Sequence, residues 1–213
     1  SQIKYGPHST GGAINYISSN IPHKLSLNGS LSYGDFNTTK FNVKSGISGR
    51  NFGILFQSFL DKNNGFKNID DGSHSGFDKK DFLLKTRINS NSNNIALEAK
   101  FSKTEELSNE TYLGLTRSDF KLTPYRRYLA SQNDQMEADH NQFTISSVVK
   151  FLENYDFTVT FYDNSFHRNW YKLNKVNNQS IGSILISDNL NEDNYQLLFA
   201  EETEDDIFEV KAN

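Results

Sequence analysis

The sequence predicts an all-β fold in which antiparallel strands form part of a transmembrane β-barrel. Apolar and polar residues alternate in segments of about ten residues, the length with which a tilted strand crosses a bilayer. The connections between these segments are mostly short at one end and long at the other, as in outer-membrane barrels. The composition agrees: hydrophobic residues make up only 35% and aromatic residues 13%. Such a chain suits a sheet with one apolar face better than a thick core.

Seven strand segments are expected along the chain. They lie at residues 24–34, 38–48, 51–61, 80–89, 94–103, 139–152 and 156–168. Successive side chains of a strand point to opposite faces, so parity predicts that Leu27, Val43 and Leu97 face lipid. Polar residues at the alternate positions are expected to line the lumen, and they include Asn28, Lys44, Glu98, Lys100 and Thr160. The third segment is less regular, because Leu55 and Phe59 break its alternation.

The connections between the segments distinguish two all-β folds. Short connections lie at 48–51, 90–93 and 153–155, and long ones lie at 62–80, 104–139 and 169–213. The turn at 34–38 is short although it lies on the side of the long loops. A soluble antiparallel sandwich also alternates and is the alternative fold. Long loops collected on one side are unusual in a sandwich, so they favour the barrel.

Several function classes are not supported by the sequence. The chain has no cysteine, which excludes a disulfide framework and a thiolate metal site. Its net charge of −4 argues against nucleic acid as a partner, because phosphate binding requires a surplus of Lys and Arg. No apolar run is long enough for a transmembrane helix. No catalytic motif is present, so we do not expect an enzyme.

The N-terminal stretch carries the clearest motif. It contains Tyr5 and Gly6, then Gly11 and Gly12, then Asn15 within a short apolar run. Paired glycines permit a tight backbone conformation that other residues disfavour. This stretch resembles the closing motif of the plug domain in TonB-dependent outer-membrane receptors, which directly precedes the first barrel strand.

The resemblance implies a domain division. Residues 1–20 would be the end of the plug, and residues 21–213 the N-terminal part of a larger plugged barrel. The first residues do not form a signal peptide, and the chain is interpreted as a piece of a longer protein. The segment that contacts the TonB-type energising protein in the periplasm would lie upstream of it.

A second resemblance narrows the branch of that family. Residues 110–120, 124–128 and 130–132, His140 and the closing residues 210–213 are similar to loops of receptors grouped with the ferric dicitrate transporter. This implies active uptake of a ferric chelate across the bacterial outer membrane, with outer-membrane lipid and lipopolysaccharide as further partners and no bound cofactor. A receptor for a glycan or a cobalamin-type ligand, or a passive porin, is the alternative.

An anionic chelate requires cations and hydrogen-bond donors at its site. Arg holds a carboxylate with two parallel hydrogen bonds. The candidate ligand-binding residues are Arg117, Arg126, Arg127 and Arg168, and the family resemblance adds His8 at the top of the plug. Alternatively, these arginines snorkel, pair with loop carboxylates such as Asp119 and Asp139, or contact lipopolysaccharide phosphates.

Aromatic residues accompany these arginines in the third loop, at 104–139, counting the turn at 34–38 as the first loop on that side. Tyr112, Phe120, Tyr125 and Tyr128 would either contact a ligand or pack the loop against itself, and packing is the favoured interpretation. A short helical turn is expected at 118–122, with Ser118 as its cap.

A direct metal site is not expected. The five histidines lack metal-binding spacing. Asp61–Gly65 with Asp70 and Asp71 is similar to a calcium loop, but Gly65 stands where the loop requires a ligand. A loop calcium ion is therefore a minor alternative. The acidic run at 201–206 is interpreted as a solvated loop.

Overall fold

The computed structural model describes residues 16–92, 94–151, 155–187 and 193–199, and the backbone of 208–210. Most of them belong to one antiparallel sheet of seven strands, each paired with the next along the chain in the order β1-β2-β3-β5-β6-β8-β9. These strands are β1 (Ser26–Gly34), β2 (Thr38–Ser48), β3 (Phe52–Asn63), β5 (Phe77–Asn89), β6 (Ile95–Asn109), β8 (Gln135–Phe151) and β9 (Tyr155–Tyr171). The all-β, antiparallel class expected from the alternation is confirmed.

Small elements lie in the long loops. They are β4 (Asn68–Ile69), α1 (Arg117–Leu122), β7 (Arg126–Arg127), β10 (Leu173–Val176), β11 (Gln179–Ser180), α2 (Ile181–Ile186), α3 (Asp193–Gln196) and β12 (Phe208–Val210), with 3-10 turns at Leu129–Ser131 and Leu197–Phe199. β4 pairs with β7, and β10 lies between β11 and β12. In the part of the chain that the structure describes, no helix has the length and apolar character to span a membrane.

All seven expected strands form, but five of them are longer than predicted, each at the strand end that adjoins a long loop. For example, β6 continues from residue 103 to Asn109, and β8 begins at Gln135 instead of residue 139. These extensions are mostly polar and carry only scattered apolar residues such as Leu107 and Met136, so alternation does not reveal them. Charged cross-strand neighbours accompany the backbone pairing there, such as Lys79 with Glu106 at 3.5 Å.

The turn between β1 and β2 is a tight hairpin. The Thr38 N–H donates to the Asp35 carbonyl at 3.1 Å. Phe36 and Asn37 have φ angles of 58° and 53°, which is the type I′ geometry that matches the twist of antiparallel strands. Asn tolerates this left-handed region, whereas a bulky Phe is unusual in it. The expected short turn at 34–38 is therefore confirmed.

The pairing register divides the sheet into two chemically different faces. Residues paired across antiparallel strands point to the same face. The apolar face carries, from β1 to β9, Leu27, Val43, Phe56, Leu84, Leu97, Ile145 and Phe161. The polar face carries Asn28, Lys44, Gln57, Arg87, Glu98, Ser146 and Thr160. The parity grouping from the sequence is thus confirmed. Large side chains of the apolar face are exposed, with Leu27 at 73% and Phe161 at 63%.

Residues 19–22 pack on the polar face, where we call them the docked segment. Lys85 Nζ donates to the Ser19 carbonyl at 3.0 Å, and Ser48 Oγ donates to the Pro22 carbonyl at 2.9 Å. Ile21 is buried beside Gly53 of β3, and Pro22 lies beside Gly46 of β2. Leu55, which pairs with Gly46 on this face, is completely buried. The irregular alternation of the third segment therefore reflects an apolar position that the docked segment covers.

Candidate functional site

The three long loops fold into one structure above the sheet, here called the cap. It consists of the described residues among 64–76, 110–134 and 172–199. The third and fourth loops share a hydrophobic core, formed by Leu113, Tyr128, Ala130, Leu173, Val176, Ile184, Tyr195 and Leu198. Loops that bury apolar side chains against one another form a pre-organised surface, which is how many binding sites are built.

Asp119 is the polar centre of this core. Its Oδ2 accepts hydrogen bonds from Tyr128 Oη at 2.5 Å, Tyr195 Oη at 2.6 Å and Thr116 Oγ1 at 3.0 Å. Burial alone would raise the pKa of Asp119, but the hydrogen bonds from Tyr128, Tyr195 and Thr116 outweigh it and hold the pKa below its usual value. The carboxylate therefore links the third loop to the fourth.

The helical turn in the third loop is confirmed, but the expected cap residue is wrong. α1 begins at Arg117, and Thr116 is its N-cap, because Thr116 Oγ1 accepts the Asp119 N–H at 3.2 Å. A cap must precede the first helical residue and reach the N–H two or three residues ahead. Ser118 already lies inside the helix, and its hydroxyl contacts Thr116 Oγ1 at 3.1 Å.

Arg126 joins the second loop to the third. Its Nε lies 2.7 Å from Asp70 Oδ1 and its second terminal nitrogen 3.0 Å from Asp70 Oδ2, a two-point ion pair. The guanidinium carbon lies 4.8 Å from the centre of the Phe199 ring. β4 and β7 pair beside it through Asn68–Arg126 and Ile69–Arg127. The edge of the Arg126 guanidinium formed by Nε and one terminal nitrogen is thus occupied within the cap, by Asp70 rather than by the two carboxylates considered from the sequence.

Arg127 lies in a half-buried position. One terminal nitrogen donates to the Pro124 carbonyl at 3.1 Å, whereas the buried Nε has no partner among the described atoms. Burial lowers the pKa of Arg127. Burial lowers the pKa of Lys67, and the positive charge of Arg127 lowers it further. Lys67 Nζ donates to Thr111 Oγ1 at 2.6 Å.

Arg168 belongs to a cationic aromatic cluster on the polar face of β9. Its guanidinium carbon lies 5.3 Å from the centre of the Trp170 ring, and Lys172 Nζ lies 5.0 Å from the same ring. Tyr112 packs edge-on against Trp170 with ring centres 4.8 Å apart. Neither cation forms an ion pair with a carboxylate of the described residues. Lys172 was not expected from the sequence, although Arg168, Trp170 and Lys172 occupy alternate positions.

The other expected site residues are not brought together with this cluster. Arg117 is exposed at the start of α1 and bonds to no other described side chain. Tyr128 packs inside the cap, as favoured, whereas Phe120 and Tyr125 are exposed. His8 and the motif residues Tyr5, Gly6, Gly11, Gly12 and Asn15 lie outside the described residues, as does the acidic run at 201–206.

The carboxylates considered for calcium have other partners. Asp61 forms an ion pair with Lys40 at 2.9 Å, Asp70 binds Arg126, and Asp71 accepts the Ser73 N–H at 2.7 Å. Within the described ranges, no group of three or more His, Asp or Glu residues could hold a metal ion.

A cavity of about 610 Å³ lies between residues 16–19 and the polar face of the sheet. Its walls include Tyr16, Asn42, Gln57, Asp81 and Thr104. Phe59, the other residue that breaks the alternation of the third segment, also lines it. The cavity therefore has a mixed lining of polar, aromatic and aliphatic side chains.

Comparisons with protein families, with curated proteins and with solved structures found no match to this chain.

Replacing Asp119 with Asn is expected to loosen the junction between the third and fourth loops. The change keeps the size of the side chain but removes the charge that strengthens three hydrogen bonds, so we expect a loss of about 1–3 kcal/mol in local stability. Hydrogen exchange of the amides at 113–131 and 173–187 measures it. Asp163→Asn is the control, because Asp163 is exposed and bonds to no described residue. Equal exchange in both variants would contradict the role of Asp119.

Asp134 makes the same junction depend on pH. Its Oδ1 accepts the Leu173 N–H at 2.9 Å, and burial raises its pKa to about 6. A raised pKa means that the folded cap holds the proton more tightly than the unfolded chain. The stabilisation is therefore complete below about pH 4 and is lost as the pH rises through about 6, by up to about 3 kcal/mol.

Hydrogen exchange of the Leu173–Val176 amides between pH 4 and pH 8, corrected for intrinsic rates, tests this dependence. Protection should fall as the pH rises, and Asp134→Asn should abolish the change. Protection that increases with pH would show that the charged form of Asp134 is the stabilising one.

Proposed function

We propose that this chain is part of a TonB-dependent outer-membrane receptor for active uptake of a ferric chelate. Residues 1–20 form the end of the plug, and residues 21–213 the N-terminal part of the transmembrane barrel. The family resemblance of residues 5–18 motivates this assignment. The observation that carries it is the course of the apolar face across the seven strands.

The apolar face has a sharp outer limit. Towards the long loops, the last large apolar residues of the seven strands are Tyr33, Phe41, Leu60, Phe82, Phe101, Phe143 and Phe161, apart from the isolated Leu107 and Tyr171. Beyond this line the same face carries charged residues such as Lys62, Asp78, Glu105 and Asp139. Most of the limiting residues are aromatic, which is typical of the girdle at a membrane interface.

This limit runs obliquely to the hydrogen-bonded rows of the sheet. The row that begins at Tyr33 on β1 reaches Asn169 on β9, whereas the limit on β9 is Phe161, eight residues away. The shift is therefore about 1.3 residues per strand. With a rise of about 3.3 Å per residue and about 4.8 Å between strands, strands crossing a level apolar layer would tilt by about 40°. Strands of transmembrane barrels tilt by 35–45°.

The docked segment supports a plugged lumen. It packs on the polar face, opposite the apolar one, as the end of a domain enclosed by the barrel would. A passive porin has no need of such a segment. A sandwich would require a second layer on the apolar face, where Leu27 and Phe161 are exposed.

The cationic aromatic cluster supports an anionic ligand. Arg168 and Lys172 approach one indole ring and form no ion pair with a carboxylate of the described residues. They are therefore the candidates for contacts with the carboxylates of a ferric chelate. Arg126 has a structural role, because its guanidinium forms a two-point ion pair with Asp70.

Cysteine labelling tests the membrane orientation. In the full-length parent, made without other cysteines and inserted in liposomes, Leu97→Cys should react with a lipophilic maleimide and resist a membrane-impermeant one. Glu98→Cys, its neighbour on the opposite face, should show the reverse preference once the lumen is opened with urea. Equal reaction of both positions with the impermeant reagent would reject the lipid-facing assignment.

Direct binding tests the ligand. The purified full-length parent should bind radioactive iron presented as ferric citrate, with free citrate and cobalamin as controls. Arg168→Ala with Lys172→Ala should weaken binding at least tenfold, because both cations of the cluster are removed. Lys150→Ala, at the short-turn end of β8, is the matched control. Saturable binding of cobalamin or a glycan instead would retain the receptor and replace its ligand.

A further inference from the structure

Buried Lys85 holds the docked segment to the polar face. It is only 5% exposed, although it lies in the middle of β5. Its Nζ donates to the Ser19 carbonyl at 3.0 Å and lies 3.7 Å from Glu98 Oε1. Arg87 contacts the other oxygen of Glu98 at 2.7 Å. A main-chain carbonyl of the segment is thereby connected to charged groups on two adjacent strands.

Two glycines create the space that the docked segment occupies. A Cβ at Gly46 would lie 2.7 Å from Pro22 Cδ, and a Cβ at Gly53 would lie 3.0 Å from Ile21 Cγ2. Both distances are shorter than normal carbon contacts, and the Gly46 Cβ would also lie 2.9 Å from the Ile54 carbonyl oxygen, so a side chain added at either position requires the segment or its neighbours to shift. Ser48 Oγ adds a hydrogen bond to the Pro22 carbonyl at 2.9 Å.

Tyr16 and Ile17, which precede the docked segment, are much more exposed than Ile21. Tyr16 is 90% exposed and Ile17 is 83% exposed. Both border the cavity beside the polar face rather than filling a fitted space. The contrast between Ile17 and the buried Ile21 falls within four residues and coincides with the Lys85 contact at Ser19.

We propose that Ser19 marks the boundary between residues that rearrange with the plug and the docked segment, which joins plug to barrel and stays fixed to the barrel wall. Lys85 is the positioning residue that sets this boundary, and the Gly46–Gly53 space receives the fixed part. Rearrangement of the plug therefore ends at Ser19, and residues 19–22 keep their contacts while residues 16–18 move. This inference rests on the proposed function only for its role in transport.

Stepwise urea treatment of the full-length parent in liposomes tests the boundary. Single cysteines at Ile17 and Ile21 are labelled with a membrane-impermeant maleimide, and a heat-modifiable gel shift monitors the barrel. Position 17 should be labelled at low urea, and position 21 only when the barrel itself unfolds. Labelling of both positions at the same urea concentration, with the barrel intact, would overturn the proposal.

Variants of the wall separate Lys85 from general packing. Lys85→Met should increase the labelling rate of position 21 at least tenfold at intermediate urea, and Lys85→Arg should restore most of the protection. Gly46→Ala should act like Lys85→Met, whereas Gly29→Ala is the control, since its Cβ would be 3.7 Å from its nearest neighbour. Hydrogen exchange of the 19–23 amides in the unmodified parent checks that the cysteines have not altered the segment. Unchanged labelling in Lys85→Met would remove Lys85 from the boundary.

A covalent lock tests the consequence for transport. The Ile21→Cys and Gly53→Cys pair places its Cβ atoms close to disulfide range, given the 3.0 Å approach at this point. The oxidised receptor should transport ferric citrate as fast as the reduced one, because the locked residues do not move. Transport that stops on oxidation and returns on reduction would overturn the proposal. If neither form transports any chelate, the proposed function fails, whereas the urea experiment still decides the boundary.

Discussion

The unbroken register of the seven-stranded sheet is the constraint on which the rest of the structure depends. A shift of one residue in any strand pair would move the side chains of that strand to the opposite face. The register keeps Asn28, Lys44 and Glu98 on one face and Leu27, Val43 and Leu97 on the other. It also brings Gly46 opposite Leu55 and close to Gly53, which creates the space for the docked segment. Face chemistry and segment docking therefore have the same origin.

Much of the sheet was predictable from the sequence, and the reasons also define the limits. Alternation reports a strand only where its two faces differ, so the strands were placed but their polar outer ends were not. Leu55 was recognised as irregular, yet its cover comes from residues far away in the chain. From the sequence the cap can be read only as separate loops. Its core joins Leu113 to Leu173 and Tyr195 across long sequence separations. Such contacts leave no periodic signal.

The arginines illustrate why candidate site residues are harder to predict than strands. The sequence shows that Arg126 and Arg168 are cations in or beside long loops, and it makes both of them equally good candidates for ligand binding. Asp70, which forms an ion pair with Arg126, lies 56 residues earlier in the chain. The two residues meet only because the second loop packs against the third. Arg168 instead stands over Trp170, two residues away on the same strand face. Only the local pairing of the two was visible in the sequence.

In the proposed receptor, the shared core of the cap has a consequence for how ligand recognition can diversify. A loop that folds alone can accept insertions or be exchanged between relatives without disturbing its neighbours. Here the second loop is joined to the third through Asp70, and the third to the fourth through Asp119 and Tyr195. A length change in one loop would have to be matched in the others to preserve those contacts. Selection for a new ligand would therefore act on the three loops as one inherited block, with point changes confined to exposed positions such as Arg117 and Tyr125.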